Sequence, residues 1–323
     1  MASDTSPVSV NHAAAPLVEA LVRDALSLRL AVQRLPNGCT LIDAGVSCPG
    51  GLQAGQRIAE ISLAGLGQVT LIAGSVLSNW PWQVVVHTRN PVLACIASQM
   101  AGWRLSDRSK RFEAIGSGPA RALVAKEKEF ARVHYEDDAS IGCLILETDT
   151  LPPESVAASI AADCDIDPRK LTLIVSPTQS LSGVVQIAAR ILSTALLKMQ
   201  ESDLPINCVV DAIGSAPLPP AGGSSELAMG RTNDALLYGG QVHLFIRGND
   251  ALAERIAQRV PSRSSKDYGR PFATLIQEAG GFYKMDPALF APAMVIVTSL
   301  DSGRSFHGGQ FNATLLEESF GRA

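Results

Sequence analysis

Apolar positions along the chain follow two periods, one typical of amphipathic helices and one typical of strands. Helical spacing predicts helices in these segments: 11–26, 52–66, 91–100, 154–163, 180–200, 250–260 and 271–279. Short apolar runs predict strands on both sides of the turn at 36–38 and in these segments: 68–73, 83–87, 141–147, 171–176, 235–247 and 294–298. The strands are too irregularly spaced for a barrel, and some are placed for antiparallel pairing. We therefore predict an α/β protein with layered, mixed sheets.

The length of 323 residues exceeds what one hydrophobic core usually organises. We predict two α/β lobes, 1–150 and 151–323, with a soft boundary near Pro152-Pro153 and with exchange of segments between the lobes left open. Hydrophobic residues make up 46% of the chain and charged residues 18%, a composition typical of a well-packed soluble enzyme. Residues 214–230 are rich in glycine and are predicted to form loops.

Charge and hydropathy exclude two classes of partner. The net charge is −4 and no basic cluster stands out, which argues against a nucleic-acid partner. No stretch is long and apolar enough to span a membrane, and residues 1–9 lack the features of a signal peptide. The six cysteines are scattered without a CxxC pair, as is typical of small core residues in a reducing compartment. We expect a cytoplasmic protein.

The five histidines give no sign of a metal site. They lie far apart in sequence, and no two of them are spaced as metal ligands on one helix or strand would be. Since the cysteines are equally scattered, we predict that the chain holds no metal.

Arg190 and Ser193 lie three residues apart on the predicted helix 180–200. This spacing puts both on one face, within or beside an apolar stripe, which is an unusual place for a cation. The alternative is an arginine whose stem packs on apolar neighbours while its charged end reaches water.

Three junctions rich in glycine and serine could bring backbone N–H groups close to a ligand: 116–121, 213–217 and 228–240. None has the spacing of a Walker A or dinucleotide motif, which disfavours nucleotide binding. Ser117 lies in a Gly-Ser-Gly segment too short for a nucleophile elbow, so a serine hydrolase stays only as an alternative. Polar side chains on these junctions are candidate ligand contacts: Arg121, Arg231, Asn233 and Asp234. The other interpretation is that the junctions are tight turns and helix caps.

Seven motifs follow one another along nearly the whole chain. They are Val86-His-Thr-Arg-Asn-Pro-Val-Leu-Ala-Cys95, Ser98-Gln-Met-Ala-Gly-Trp103, Gly116-Ser-Gly-Pro-Ala-Arg121, Pro177-Thr-Gln-Ser180, Asp211-Ala-Ile-Gly-Ser-Ala-Pro217, Met229-Gly-Arg-Thr-Asn-Asp234 and Ser305-Phe-His-Gly-Gly309. In this order they closely resemble the methenyltetrahydromethanopterin cyclohydrolase family, from about Ser9 to the C-terminus.

The resemblance implies a reaction, an architecture and a pathway. The reaction is reversible hydrolysis of the 5,10-methenyl group of tetrahydromethanopterin to the 5-formyl compound, without a metal or other cofactor. The architecture is a two-lobed α/β subunit that binds the pterin in a cleft between the lobes, commonly in a homotrimer. In bacteria with this pathway, the step serves formaldehyde oxidation to formate.

The resemblance also points to site residues, and it fails at one of them. The family helix after Pro-Thr-Gln-Ser reads Ala-Arg-x-x-Glu, whose arginine and glutamate are the proposed catalytic pair, whereas this chain reads Ala189-Arg190-Ile-Leu-Ser193. A serine can position water but has no base form at neutral pH. Substrate-binding positions expected from family likeness and loop chemistry are Ser117, Arg121, Gln179, Ser180, Arg231, Asn233 and Asp234.

Three explanations of the missing glutamate stay open. The first is a cyclohydrolase in which Asp234, Glu226 or solvent supplies the base. The second is a divergent paralogue that binds a reduced pterin without efficient turnover. The third is a different hydrolase on the same scaffold.

Overall fold

The computed structural model describes residues 8–74, 77, 79–281 and 284–321. The helices are α1 Val10–Arg23, α2 Leu52–Ser62, α3 Arg121–Val124, α4 Lys128–Val133, α5 Glu154–Asp163, α6 Leu181–Ala188, α7 Ile191–Glu201, α8 Ser225–Gly239, α9 Asp250–Arg259, α10 Phe272–Ala279 and α11 Ala313–Phe320. The strands are β1 Ala31–Arg34, β2 Thr40–Asp43, β3 Gly67–Ala73, β4 Trp82–Thr88, β5 Ala101–Asp107, β6 Phe112–Ser117, β7 Gly142–Glu147, β8 Leu171–Val175, β9 Val209–Pro217, β10 Gln241–Ile246, β11 Met294–Ser299 and β12 Ser305–Gly309. Residues Val92–Gln99 form a π-helical segment.

Two six-stranded mixed sheets organise the fold, which confirms the predicted α/β class. The first sheet has the order β1-β2-β8-β7-β6-β5, and its neighbours β2, β8 and β7 run parallel. The second has the order β12-β11-β10-β9-β4-β3, in which β10 and β11 are the parallel pair. Because ligands often bind beyond the carboxyl ends of parallel strands, the ends of β7 and β8 are a candidate location for a site.

The sheets do not follow the order of the chain. The β3–β4 hairpin pairs through β4 with β9 of the second sheet, while β8 lies in the first sheet beside β7. The predicted lobe boundary near residue 150 stays a prediction, and strands from both sides of it take part in each sheet.

Helices α6 and α7 form the apolar centre of the protein. Val184, Ile191 and Leu196 belong to a buried cluster that also contains the inner residues of the second sheet, such as Val86 and Leu244. No single helix within the described ranges is long and apolar enough to cross a membrane, although α6 and α7 taken together, bent by 43°, have the length and composition to do so.

The predicted helix 180–200 is two helices. Arg190 (φ −81°, ψ 6°) is the N-cap of α7, and its N–H bonds to the carbonyl of Ile187, three residues back, instead of to residue 186. Arg190 and Ser193 therefore lie in the first turn of a new helix, and not on one continuous stripe. The bend is accompanied by polar contacts of the Arg190 side chain to residues outside both helices.

Two other predictions of secondary structure were wrong. Residues 213–217 belong to strand β9, and 228–239 belong to helix α8, so most of the predicted loop region is regular structure and the predicted strand at 235 begins only at Gln241. Gly214 and Gly230 lie in these regular elements and allow close packing instead of marking turns. A Cβ on Gly230 would lie 3.0 Å from Ala273 of α10, and one on Gly214 would lie 3.0 Å from Leu192 of α7.

Candidate active site

A cavity of about 300 Å³ lies where the end of β7 and the start of β5 face helices α7 and α8. Apolar side chains form part of its wall, among them Met100, Ile187, Leu197, Met229, Leu236, Met285 and Phe290. Its polar lining consists of Glu127, Glu129, Glu147, Thr178, Arg190, Ser193, Thr194, Thr232 and Asn233. An apolar wall with a few convergent polar groups is the usual form of a small-molecule site.

Arg190 is held rigidly at the wall of this cavity. The residue is 6% exposed, and its Nη1 donates to the carbonyl of Gln99 at 2.7 Å. Its Nη2 donates to Ser117 Oγ and to Gln186 Oε1, both at 2.8 Å. Burial lowers the pKa of Arg190, whereas the nearby Glu147 charge opposes that shift. The guanidinium is thus fixed by neutral acceptors and does not reach into water as a surface arginine would.

Glu147 is the last residue of β7 and meets Arg190 at the cavity. Its Oε1 lies 2.9 Å from Arg190 Nη2, and the two side chains are 10% and 8% exposed. Both protons of that nitrogen point to Ser117 and Gln186, so the contact is an ion pair without a hydrogen bond. Within the described part of the chain no group donates a hydrogen bond to Glu147 Oε1.

Ser193 joins Arg190 through Gln99. Its hydroxyl donates to Gln99 Oε1 at 2.6 Å, while the amide nitrogen of Gln99 donates to Ser62 Oγ and to the carbonyl of Ala189. The Ser193 proton is therefore committed to a neutral acceptor, and no base contacts it among these bonds. Ser193 can orient a small molecule in the cavity but cannot take a proton from it.

The lining of the cavity is negative. Glu127, Glu129 and Glu147 are its acidic members, and Arg190 is its basic member. Glu127 is also paired with Arg121, which lies behind the wall, at 2.9 Å. Opposite charge in a site of low dielectric favours a cationic ligand over a neutral one.

Comparison with known proteins gives the family. Residues 9–320 match the family model described as cyclohydrolase (MCH). The chain belongs to this family. A protein of Methylobacillus flagellatus named methenyltetrahydromethanopterin cyclohydrolase is 49% identical over 97% of this chain and 95% of its own length. Proteins with the same name from Methylobacterium organophilum and Methanosarcina barkeri are 46% and 38% identical, over 99% and 97% of this chain and 100% and 98% of their own lengths.

The structure brings four of the predicted site residues of this cyclohydrolase together. Arg190, Ser193 and Asn233 line the cavity, and Ser117 accepts a hydrogen bond from Arg190 directly behind it. Asn233 lies on α8, where its Nδ2 donates to the carbonyl of Met229 at 2.9 Å. Their assigned roles stay predictions, and Ser117, which is fully buried, contacts the cavity only through Arg190.

Three other predicted residues lie outside the cavity and contact the protein itself. Arg121 is fully buried and donates to the carbonyls of Ile96 and Ser98. Gln179 donates to Asp149 at 2.9 Å. Ser180 is the N-cap of α6 and accepts from the N–H of Gly183. These contacts are those expected of residues that hold loops and helix ends.

The remaining predicted residues belong to α8 but point away from the cavity. Arg231 donates to the carbonyl of Ser319 in α11. Asp234 accepts from the N–H of Phe272 at 2.9 Å and from Ser319 Oγ at 2.7 Å, so it ties α10 and α11 to α8. Glu226 is exposed in the first turn of α8. Neither acid named as a replacement base lines the site.

Sequence reasoning missed the acids that do line the cavity, Glu127, Glu129 and Glu147. One signal was available for Glu147, because it ends an apolar run that pairs in parallel with β8. The carboxyl end of such a strand is a common position for functional side chains. Glu127 is the N-cap of the short helix α4 and Glu129 lies in its first turn, and no periodicity marks them.

Two further observations bear on other kinds of site. A more open groove of about 480 Å³ runs between α1 and the strands β1, β2 and β7, and none of the predicted site residues lines it. Across the described ranges, no three His, Cys, Asp or Glu side chains are grouped as metal ligands would be. The absence of a metal stays a prediction.

Asp234 gives a prediction about stability. Burial raises the pKa of this carboxyl group to about 6, against hydrogen bonds that lower it. Between the unfolded pKa of about 3.9 and about 6, the folded state keeps a proton that the unfolded state has lost, so stability falls as pH rises. We expect the ionisation of this group alone to lower the free energy of unfolding by about 3 kcal/mol by pH 7.

The measurement is denaturant unfolding from pH 4 to pH 7 for the wild type and for Asp234→Asn. Asparagine keeps the acceptor for Phe272, and Ser319 can turn to accept from its amide. The variant should gain stability relative to the wild type as pH rises. Parallel curves for the two proteins would contradict the raised pKa.

Proposed function

We propose that the chain hydrolyses the methenyl bridge of 5,10-methenyltetrahydromethanopterin to give the 5-formyl compound. The observation that carries the proposal is the buried Arg190–Glu147 pair at a cavity next to Ser193, in a chain of the cyclohydrolase family. Relatives that match nearly the whole chain are named for this reaction.

The chemistry of the substrate fits the electrostatics of the cavity. The methenyl carbon lies between two nitrogens that share a positive charge, so the substrate is its own electrophile. A site with three glutamates and one arginine at its lining favours such a cation. The site then needs a group that holds water against the carbon and a group that accepts its proton. Arg190 and Ser193 can hold water or substrate in place at the wall, because hydrogen bonds to Gln99 already hold both side chains.

The substrate carries all the reactivity that this hydrolysis requires, so we propose that no metal or other cofactor takes part. By resemblance the step belongs to one-carbon metabolism, in the oxidation of formaldehyde to formate. All six cysteines are free thiols, which is consistent with the cytoplasmic location that we propose.

We also propose a homotrimer, as the resemblance implies. The outer face of the second sheet supports association, because it carries partly exposed apolar side chains such as Ile72, Ile213 and Ile296 in the alternate strands β3, β9 and β11. Light scattering should give about three times the chain mass of 34.0 kDa. A monomer would exclude this assembly without touching the proposed reaction.

The function is tested by following the loss of methenyl absorbance with the purified protein. The spontaneous rate in the same buffer is the control, since methenyl groups hydrolyse slowly without a catalyst. A rate well above buffer that scales with protein concentration is the expected result. Binding of the substrate at the buffer rate would instead indicate a paralogue that holds the pterin without turnover, and absence of both would exclude the pterin reaction.

A further inference from the structure

We infer that Glu147 is the general base of this chain, in place of the glutamate that the family pattern puts at position 193. The inference rests on the proposed hydrolysis and names the group that accepts the proton of water. A carboxylate at the end of β7 then accepts the proton of water, the role that the family pattern gives to a carboxylate in the first turn of α7.

The position of Glu147 is the first argument. It lines the cavity together with Arg190 and Ser193, so one small molecule can contact all three. Arg190 lies beside both positions at which a carboxylate could act, 147 and 193. Its Nη2 lies 2.9 Å from Glu147 Oε1, and Ser193 follows it by one helical turn. A carboxylate from either position can therefore reach water held beside the same guanidinium.

The bonding of Glu147 is the second argument. Arg190 Nη2 lies 2.9 Å from Glu147 Oε1, yet both of its protons are donated to Ser117 and Gln186. Glu147 Oε1 is buried and accepts no hydrogen bond from any residue in the described ranges. Burying an acceptor without a donor is costly, and such groups in native structures usually have a functional or ligand-dependent explanation. The Glu147 side chain lines the cavity and is 10% exposed, so water there can donate to the carboxylate that is to remove its proton.

The other acids are worse placed. Glu127 is committed to Arg121 at 2.9 Å. Glu129 lies 3.9 Å from Lys128, and within the described residues no ion pair joins it to Arg190. Asp234 accepts two hydrogen bonds behind α8, and Glu226 is exposed. Glu147 is the acid that combines a place in the lining with contact to Arg190.

Water adds to the substrate and one proton is released. The oxygen of water bonds to the methenyl carbon, one proton passes to Glu147, and the electron pair of the C=N bond moves onto the cationic nitrogen, which leaves a neutral carbinolamine. The C–N10 bond then breaks, Glu147 returns its proton to N10, and the hydroxyl proton leaves to solvent as the C=O bond of the formyl group forms. Cation plus water gives the neutral 5-formyl compound plus one proton, so no further reactant is needed.

The test compares wild type, Glu147→Gln and the double variant Glu147→Gln with Ser193→Glu in the methenyl absorbance assay. Glutamine keeps the size of Glu147 but accepts no proton, so kcat should fall by roughly 10²- to 10⁴-fold while binding of the substrate persists. Restoring an acid at position 193 should raise kcat of the Glu147→Gln protein at least about tenfold, because it rebuilds the family pair. If Glu147 is the base, the wild-type rate falls toward low pH and the rate of Glu147→Gln does not. If Glu147 is only structural, the two proteins have pH profiles of the same shape.

Glu60→Gln is the matched control. Glu60 is half-buried, does not line the cavity and accepts the N–H of Val69, a bond that glutamine keeps, so kcat should not change. If Glu147→Gln does not fold, Glu147→Asp serves instead, with a lower kcat and a retained acid limb. If the wild type is active and Glu147→Gln has the same kcat, the inference about Glu147 is wrong while the proposed function stands. If the wild type is no faster than buffer, both the proposed function and this inference are wrong.

Discussion

Replacing Arg190 with lysine is expected to lower kcat by on the order of 10²- to 10³-fold while the fold is retained. Lysine keeps the charge but carries its donors on one flexible nitrogen, whereas Arg190 contacts Gln99, Ser117 and Gln186 through two nitrogens and still lies 2.9 Å from Glu147. Each lost charge-assisted hydrogen bond costs about 1.5–3 kcal/mol at a buried site. Initial rates over a range of substrate concentrations, with circular dichroism for the fold, measure the effect.

Arg57→Lys is the control for the loss of an arginine. Arg57 pairs with Asp24 at 2.6 Å, away from the cavity, and is a third exposed, so its replacement should leave kcat within a factor of two or so. If both variants lose activity to a similar extent, the effect comes from general destabilisation. An Arg190→Lys protein with wild-type kcat would show that fixed geometry at Arg190 is dispensable.

Replacing Gly183 with alanine is expected to lower the free energy of unfolding by about 3 kcal/mol or more. A Cβ at this position would lie 1.9 Å from the carbonyl oxygen of Pro177, a backbone atom that cannot move aside alone. Gly183 lies in the first turn of α6, the helix that also packs on α2. The clash would shift the start of the helix that carries Gln186 and leads to Arg190. Thermal unfolding should show a decrease in Tm of roughly 5 °C or more.

The control glycine is Gly51, the N-cap of α2, whose backbone (φ −179°) any residue adopts. A Cβ there would meet only the movable end of Arg29, at 2.8 Å. Gly51→Ala should therefore change Tm little. Equal losses in the two variants would mean that the space at Gly183 does not decide its effect.

The sequence predicted most elements whose periodicity is strong. The hairpin around residues 36–38, the helices at 154–163 and 250–260 and the strand at 171–176 all lie close to their predicted bounds. The helix predicted at 180–200 breaks at Arg190, and the errors at 213–217 and 228–240 came from glycines with two possible meanings. Gly214 and Gly230 suggested loops, whereas each permits close packing of a helix against its neighbour. Local composition does not distinguish a turn from a close contact, because the contact involves residues distant in sequence.

The site was predictable only in part. Arg190 was identified from an unusual cation in an apolar segment, and the structure explains it through Gln99 and Ser117, which are 91 and 73 residues away in sequence. Glu147 was missed because its partner lies on another element and only the folded chain brings the two together. Asp234 is of a residue type that is common in active sites, yet its hydrogen bonds hold α10 and α11 in place.

The order of strands in the second sheet has a consequence for synthesis of the chain. The β3–β4 hairpin is complete at Thr88, but its partner β9 begins at Val209, so about 120 residues must follow before they can pair. At about 5–20 residues per second the ribosome needs roughly 6–24 seconds for this. The first sheet needs nothing beyond Val175. During that interval the nascent chain carries an apolar hairpin whose β4 edge is open to pairing with other exposed strands.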